Sequence, residues 1–107
     1  VNAEGFLVAG VVYHNYNPEA GIIEISAAAL PHHRGTRAWL QTIFSYPFDR
    51  CGCQMVIARS SENNPGPAAI LRRLGASEYR IPRLRGPDCA EIISTLTVED
   101  WKNGPWA

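Results

Sequence analysis

A run of five residues, Arg34-Gly35-Thr36-Arg37-Ala38, has the makings of an anion cradle. It follows His32 and His33 and stands where an amphipathic helix must begin, with the Thr36 hydroxyl placed to cap that helix. Free first-turn N–H groups and the positive end of the helix dipole converge at such a place, which suits a phosphate. The same residues also fit a plain solvated helix start whose arginines touch nothing. Upstream, Glu24 sits in a β-branched stretch, Ile22-Ile23-Glu24-Ile25-Ser26-Ala27. Period-two alternation puts Glu24 and Ser26 on one face and Ile23, Ile25 and Ala27 on the other. A carboxylate there is either a general base with its pKa raised by burial, or an outward group on a half-exposed strand.

Other residues have chemistry but weaker context. Asn64 precedes Pro65-Gly66-Pro67 and reads as a helix N-cap, a role compatible with contacting a ligand. His14, His32 and His33 titrate near neutrality and could move protons, but each lies in or beside a turn. Arg80, Arg83 and Arg85 form a basic segment that could meet a ligand's phosphate, though a solvated face is the preferred reading. Cys51, Cys53 and Cys89 are an odd number and give no disulfide framework. Their spacing is not that of metal ligands, so no metal is expected. Reduced thiols in a cytoplasmic setting are expected instead.

The elements that must hold these residues follow from pattern. Gly5 to His14 is a strand candidate, and the turn chemistry of residues 15–21 (NYNPEAG) joins it to the Ile22 strand as an antiparallel hairpin. From Thr36 a helix is expected: Trp39 and Ile43, and Leu40, Phe44 and Phe48, recur at helical spacing, and Pro47 bounds its end. Gln54 to Ser60 is a nearly continuous apolar run, as in a strand covered on both faces, and closes a βαβ unit with the Ile22 strand. A second helix runs from Pro65 to the capping Gly75, with Ile70, Leu71 and Leu74 inward. Glu78 to Leu84 is a strand interrupted by Pro82, hence an edge. Glu91 to Thr97 alternates as a final strand, and Val98 to Trp101 is one helical turn. The order is β-β-α-β-α-β-β: an α/β domain with a mixed sheet of about five strands and two main helices.

The 107 residues make one domain with a modest core. With 46% hydrophobic and 19% charged residues the chain is globular, and its net charge of zero gives no reason to expect nucleic acid or an anionic membrane as partner. No apolar run approaches the roughly 20 residues of a membrane span. Residues 1–10 show neither a basic start nor a cleavage pattern.

Taken together, the chain resembles the C-terminal two-thirds of the GNAT superfamily of acyl-CoA-dependent N-acyltransferases. Three segments carry the resemblance: Glu24 followed by His33-Arg34-Gly35 at a helix start; Phe44-Ser45-Tyr46-Pro47-Phe48, similar to the Tyr-x-Phe of the ribosomal-protein-acetylating branch; and Asn64 followed by an apolar helix and Leu74-Gly75. The departures are specific. Aligned on Arg34, the small residues of the family's phosphate loop are replaced by Arg37 and Trp39. Leu71 stands where a proton-donating Tyr is frequent, and the usual N-terminal strand and two covering helices are missing.

The resemblance implies an N-acetyltransferase using acetyl-CoA and an unidentified primary amine. Glu24 would be the base and Tyr79 the replacement proton donor. A backbone N–H on the Ile25–Ala29 strand would polarise the thioester carbonyl, and Ile25, Ala27, Arg34, Gly35, Thr36, Arg37, Ala38 and Asn64 would bind the CoA. The alternative is a catalytically inactive GNAT-like module acting in assembly. In either case apolar surface left bare by the missing elements would favour a homodimer.

Overall fold

The computed structural model describes residues 5–8, 11–27 and 36–106; side chains of residues 5–8 and of Ala27 lie outside that description. Six strands form one mixed sheet in the order β1-β2-β3-β4-β6-β5. They are β1 (Gly5–Val8), β2 (Val11–Asn17), β3 (Ile22–Ala27), β4 (Met55–Ser61), β5 (Ser77–Ile81) and β6 (Glu91–Thr97). Helix α1 (Arg37–Ser45) connects β3 to β4, α2 (Gly66–Arg73) leads to β5, and α3 (Val98–Asn103) follows β6. The α/β order expected from the sequence is present, with one strand more. The stretch from Gly5 to His14 is not one strand but two, paired antiparallel with Val8 opposite Val11. A continuous apolar run has no period that would reveal the break.

The β2–β3 hairpin is held by its turn. The Asn17 side chain accepts from the backbone N–H groups of Glu19 and Ala20, each at 3.1 Å. Gly21 takes φ +72°, a conformation that favours glycine, and a Cβ there would make a tight 3.2 Å contact with Gln54 Cγ. The β3–β4 pair is parallel, as the βαβ reading requires.

The core lies on one face of the sheet. The registers align Tyr13 with Ile25, and Ile23 with Val56 and Leu96. Trp39, Leu40, Ile43 and Phe44 of α1, Leu71 of α2 and Trp101 of α3 join them in one buried cluster. Trp101 packs on Phe44 with ring centroids 5.1 Å apart.

The α-helix ends at Ser45, bounded by Pro47 as expected, but the chain keeps winding past it. A π-helical turn (Tyr46–Arg50) continues from α1, with Cys51 N–H donating to the Tyr46 carbonyl at 3.0 Å. Proline has no N–H for the carbonyl four residues back, Ile43. The hydroxyl of Tyr13, wholly buried, donates to that carbonyl instead. Burial, together with the neighbouring Tyr46 and Cys51, pushes the Tyr13 phenol well above its ordinary range, so it stays protonated and able to donate. Tyr13→Phe leaves the Ile43 carbonyl without this partner and is expected to cost about 1–2 kcal/mol. Urea unfolding measures this, and unchanged stability would show that the bond is dispensable.

Two further boundaries differ from expectation. Pro65, not Asn64, is the N-cap of α2, and no side chain caps it. The Asn64 N–H donates to the Ser61 carbonyl at 3.0 Å, closing a turn one residue early. β5 stops at Ile81, ahead of Pro82, and lies at the sheet edge as a proline-bounded strand should. The C-terminus of α2 is as expected: Gly75 at φ +99° completes a Schellman pair, Gly75 N–H to Arg72 O and Ala76 N–H to Leu71 O, both 3.1 Å. Cys51, Cys53 and Cys89 are free thiols. Among the described residues no helix is long and apolar enough to cross a membrane.

Candidate functional site

The two parallel strands part company halfway along. Their ladder runs from Ile22 opposite Met55 to Ile25 opposite Ala58 and stops there. β3 stays paired to β2 as far as Ala27, and β4 to β6 as far as Ser61, so the sheet splits between them. A cavity of about 570 Å³ opens at the split. Ile25 and Ser26 of β3 and Ala58 to Ser61 of β4 line it, with Trp39, Ile43 and Phe44 of α1 and Ile70 and Leu71 of α2. Arg59, Asn64 and Arg85 add longer polar side chains to this mostly apolar lining. A crevice past the carboxyl ends of parallel strands, walled by the helices that follow them, is where α/β sheets bind ligands.

Glu24 lies on the sheet face opposite the core, across the ladder from His14. Its Oε1 accepts from Asn15 Nδ2 at 3.2 Å, and its Oε2 is 3.7 Å from His14 Nε2. The His14 and Glu24 side chains are 23% and 17% exposed, partly shielded yet reachable. Asn15 Nδ2 also lies 3.2 Å from His14 Nδ1. Since a carboxylate only accepts, the amide nitrogen is assigned to that side, Nδ1 then accepts, and Nε2 carries the imidazole proton. That proton goes to Ser26 Oγ at 2.7 Å, leaving the serine its own proton to donate. Ser26 lines the groove, so the Glu24–His14 pair is wired to the groove through it. Asn15 holds this corner at φ +54°, beside a register shift between His14 and Asn17. Asparagine tolerates this left-handed conformation better than most residues.

Glu91, only 3% exposed, anchors a second cluster. Arg59 Nε donates to its Oε2 at 2.8 Å, and Arg85 Nε to its Oε1 at 3.0 Å. Burial raises the Glu91 carboxyl, but hydrogen bonds from Arg59 and Arg85 outweigh that and hold it below the usual carboxylate range.

Of the residues expected from sequence, Ile25 and Asn64 line the groove. Thr36 caps α1, its Oγ1 accepting from Trp39 N–H at 3.2 Å. Ala38 is in the first turn of that helix. Arg37 turns its guanidinium to the Pro105 carbonyl. Trp39, 6% exposed, forms part of the groove wall and leaves the groove open. The backbone of Ala27 pairs with Val11. Tyr79 is 55% exposed on the outer strand β5 and is not among the described groove residues. Arg34, Gly35, His32 and His33 lie outside the described residues. No group of three His, Cys, Asp or Glu that could hold a metal occurs among the described residues. Sequence reasoning missed Ser26, Arg59 and Glu91 and read Arg85 as solvated. Their partners lie on other strands, and only the pairing brings them together.

Solved structures share this architecture. A mutant form of the spermidine N-acetyltransferase SpeG from Vibrio cholerae superposes with a TM-score of 0.70 at 15% identity, over 87% of this chain and 59% of that one. A GCN5-related N-acetyltransferase from Brucella melitensis does so with a TM-score of 0.69 at 16% identity, over 86% of this chain and 45% of that one. The chain has the fold of these acetyltransferases. It spans about half the length of the solved structures it resembles, from 45% to 61%. No protein-family model and no curated protein matches the sequence.

Proposed function

We propose that the chain catalyses transfer of an acetyl group from acetyl-CoA to a primary amine by direct attack. The observation that carries this is the groove where β3 and β4 separate, on a fold shared with acetyltransferases. In this reading the pantetheine arm lies in the groove, with Asn64 and the backbone of Ile25 and Ala27 alongside. The first turn of α1, Thr36 to Ala38 with Arg34 and Gly35 before it, takes the diphosphate through N–H groups. The Arg37 side chain, engaged with Pro105, braces that turn.

The amine nitrogen attacks the thioester carbonyl carbon, the C–S bond breaks, and CoA leaves as a thiolate that takes a proton from solvent. Ser26 Oγ and a β3 backbone N–H donate to the carbonyl oxygen as charge develops on it. Glu24 takes the proton lost by the amine, on the sheet face from which the acceptor approaches. Most of the acceleration comes from holding amine and thioester in line.

Acetyl-CoA added at ten times its dissociation constant is expected to stabilise the folded chain by about 1.4 kcal/mol. A thermal melt reads this directly, and Asn64→Ala should need more ligand for the same shift. No shift at millimolar acetyl-CoA would overturn the proposal.

A further inference from the structure

Two guanidiniums border the groove, and no step above uses them. Arg59 extends from β4 on the same sheet face as Glu24: Glu24 is opposite Ile57, and Arg59 is the next residue on that face. Arg85 arrives from the segment between β5 and β6. Both line the groove, with side chains 45% and 40% exposed. Both are held by the one buried carboxylate of Glu91, two guanidiniums to a single carboxylate. A guanidinium has five N–H donors, and each arginine keeps some free after contacting Glu91. Because Glu91 already fixes both forks, a ligand that uses them orders little further. Glu24, one strand over from Arg59, supplies a negative charge on the same side of the sheet. It is not among the described groove-lining residues, but it shares the sheet face of Arg59, so a base for an amine stands beside forks for an oxyanion.

We infer that the acceptor is a small amine that also carries an oxyanion, a carboxylate or a phosphate, gripped by Arg59 and Arg85 while Glu24 takes the amine proton. The inference rests on the acetyl-transfer reading. Guanidinium forks pair bidentately with carboxylate and phosphate alike, and they repel a polycationic amine.

The test compares alanine, alaninamide, phosphoethanolamine and spermidine as acceptors with acetyl-CoA. Alanine or phosphoethanolamine is expected to exceed alaninamide and spermidine about 30-fold in kcat/KM, and the better of the two identifies the oxyanion. Arg59→Gln should raise KM for the preferred acceptor about tenfold and erase the preference, without changing KM for acetyl-CoA. A preference for alaninamide or spermidine overturns the inference, as does an Arg59→Gln defect that falls on acetyl-CoA, since the guanidinium would then hold a donor phosphate. Calorimetric binding of alanine and phosphoethanolamine against alaninamide decides the oxyanion site without turnover: tighter binding of either anion supports it, and equal or no binding overturns it. An absent acetyl-CoA melting shift is separate and removes the transfer reading itself.

Discussion

Glu24→Gln is expected to lower kcat by about two to four orders of magnitude while leaving the acetyl-CoA melting shift intact. Glutamine keeps the shape of the site: its carbonyl oxygen can still accept from Asn15 Nδ2, which lies 3.2 Å from Oε1. What it loses is the ability to take a proton. The pH profile separates this role from a structural one. As pH rises, solvent deprotonates more of the acceptor amine and the enzyme's base matters less, so the gap between variant and wild type should narrow. A kcat within threefold of wild type, or a gap independent of pH, would assign Glu24 to packing the hairpin. His14 then becomes the group to replace, since its Nε2 lies 2.7 Å from Ser26 Oγ and Ser26 borders the groove.

The parts of this molecule that could be read from sequence are those fixed by local chemistry. Thr36 caps α1 because a hydroxyl there reaches the N–H three residues on, and Gly75 ends α2 because only glycine enters φ +99° freely. The βαβ unit from Ile22 to Ser61 follows from strand and helix periods, and with it the crevice at the strand ends. What stayed hidden depends on strand pairing. Arg59 meets Glu91 only because β4 and β6 are antiparallel with Arg59 opposite Ile93, placing Glu91 two residues along on the same face. Nothing local in the β4 sequence announces a partner so far along the chain. Similarly, Tyr13 reaches the Ile43 carbonyl across the β2–α1 contact, so the fate of the carbonyl that Pro47 cannot serve was not visible. Asn64 misled for the opposite reason. Its type is a good cap, but a turn closing on the Ser61 carbonyl fixes its backbone before the helix begins.

Glu91→Ala is expected to destabilise the fold by about 3 kcal/mol at neutral pH. The buried carboxylate receives charged hydrogen bonds from two arginines, and its removal leaves both guanidiniums without that partner. Their partial exposure lets water take up some of that charge, which keeps the cost at the lower end for a broken buried pair. Acid should produce the same loss in the wild type. The folded carboxyl is held below its ordinary pKa, so the unfolded state binds its proton first as pH falls. The contribution of Glu91 is therefore fully present above the ordinary carboxylate pKa and fades as pH falls through the lowered folded value. Urea unfolding of wild type and Glu91→Ala at pH 7 and below pH 4 should show the two curves converging in acid. A separation that stays constant with pH would mean that Glu91 acts by filling space and not by its charge. The arginine forks would then lack the fixed anchor that the proposed acceptor site requires.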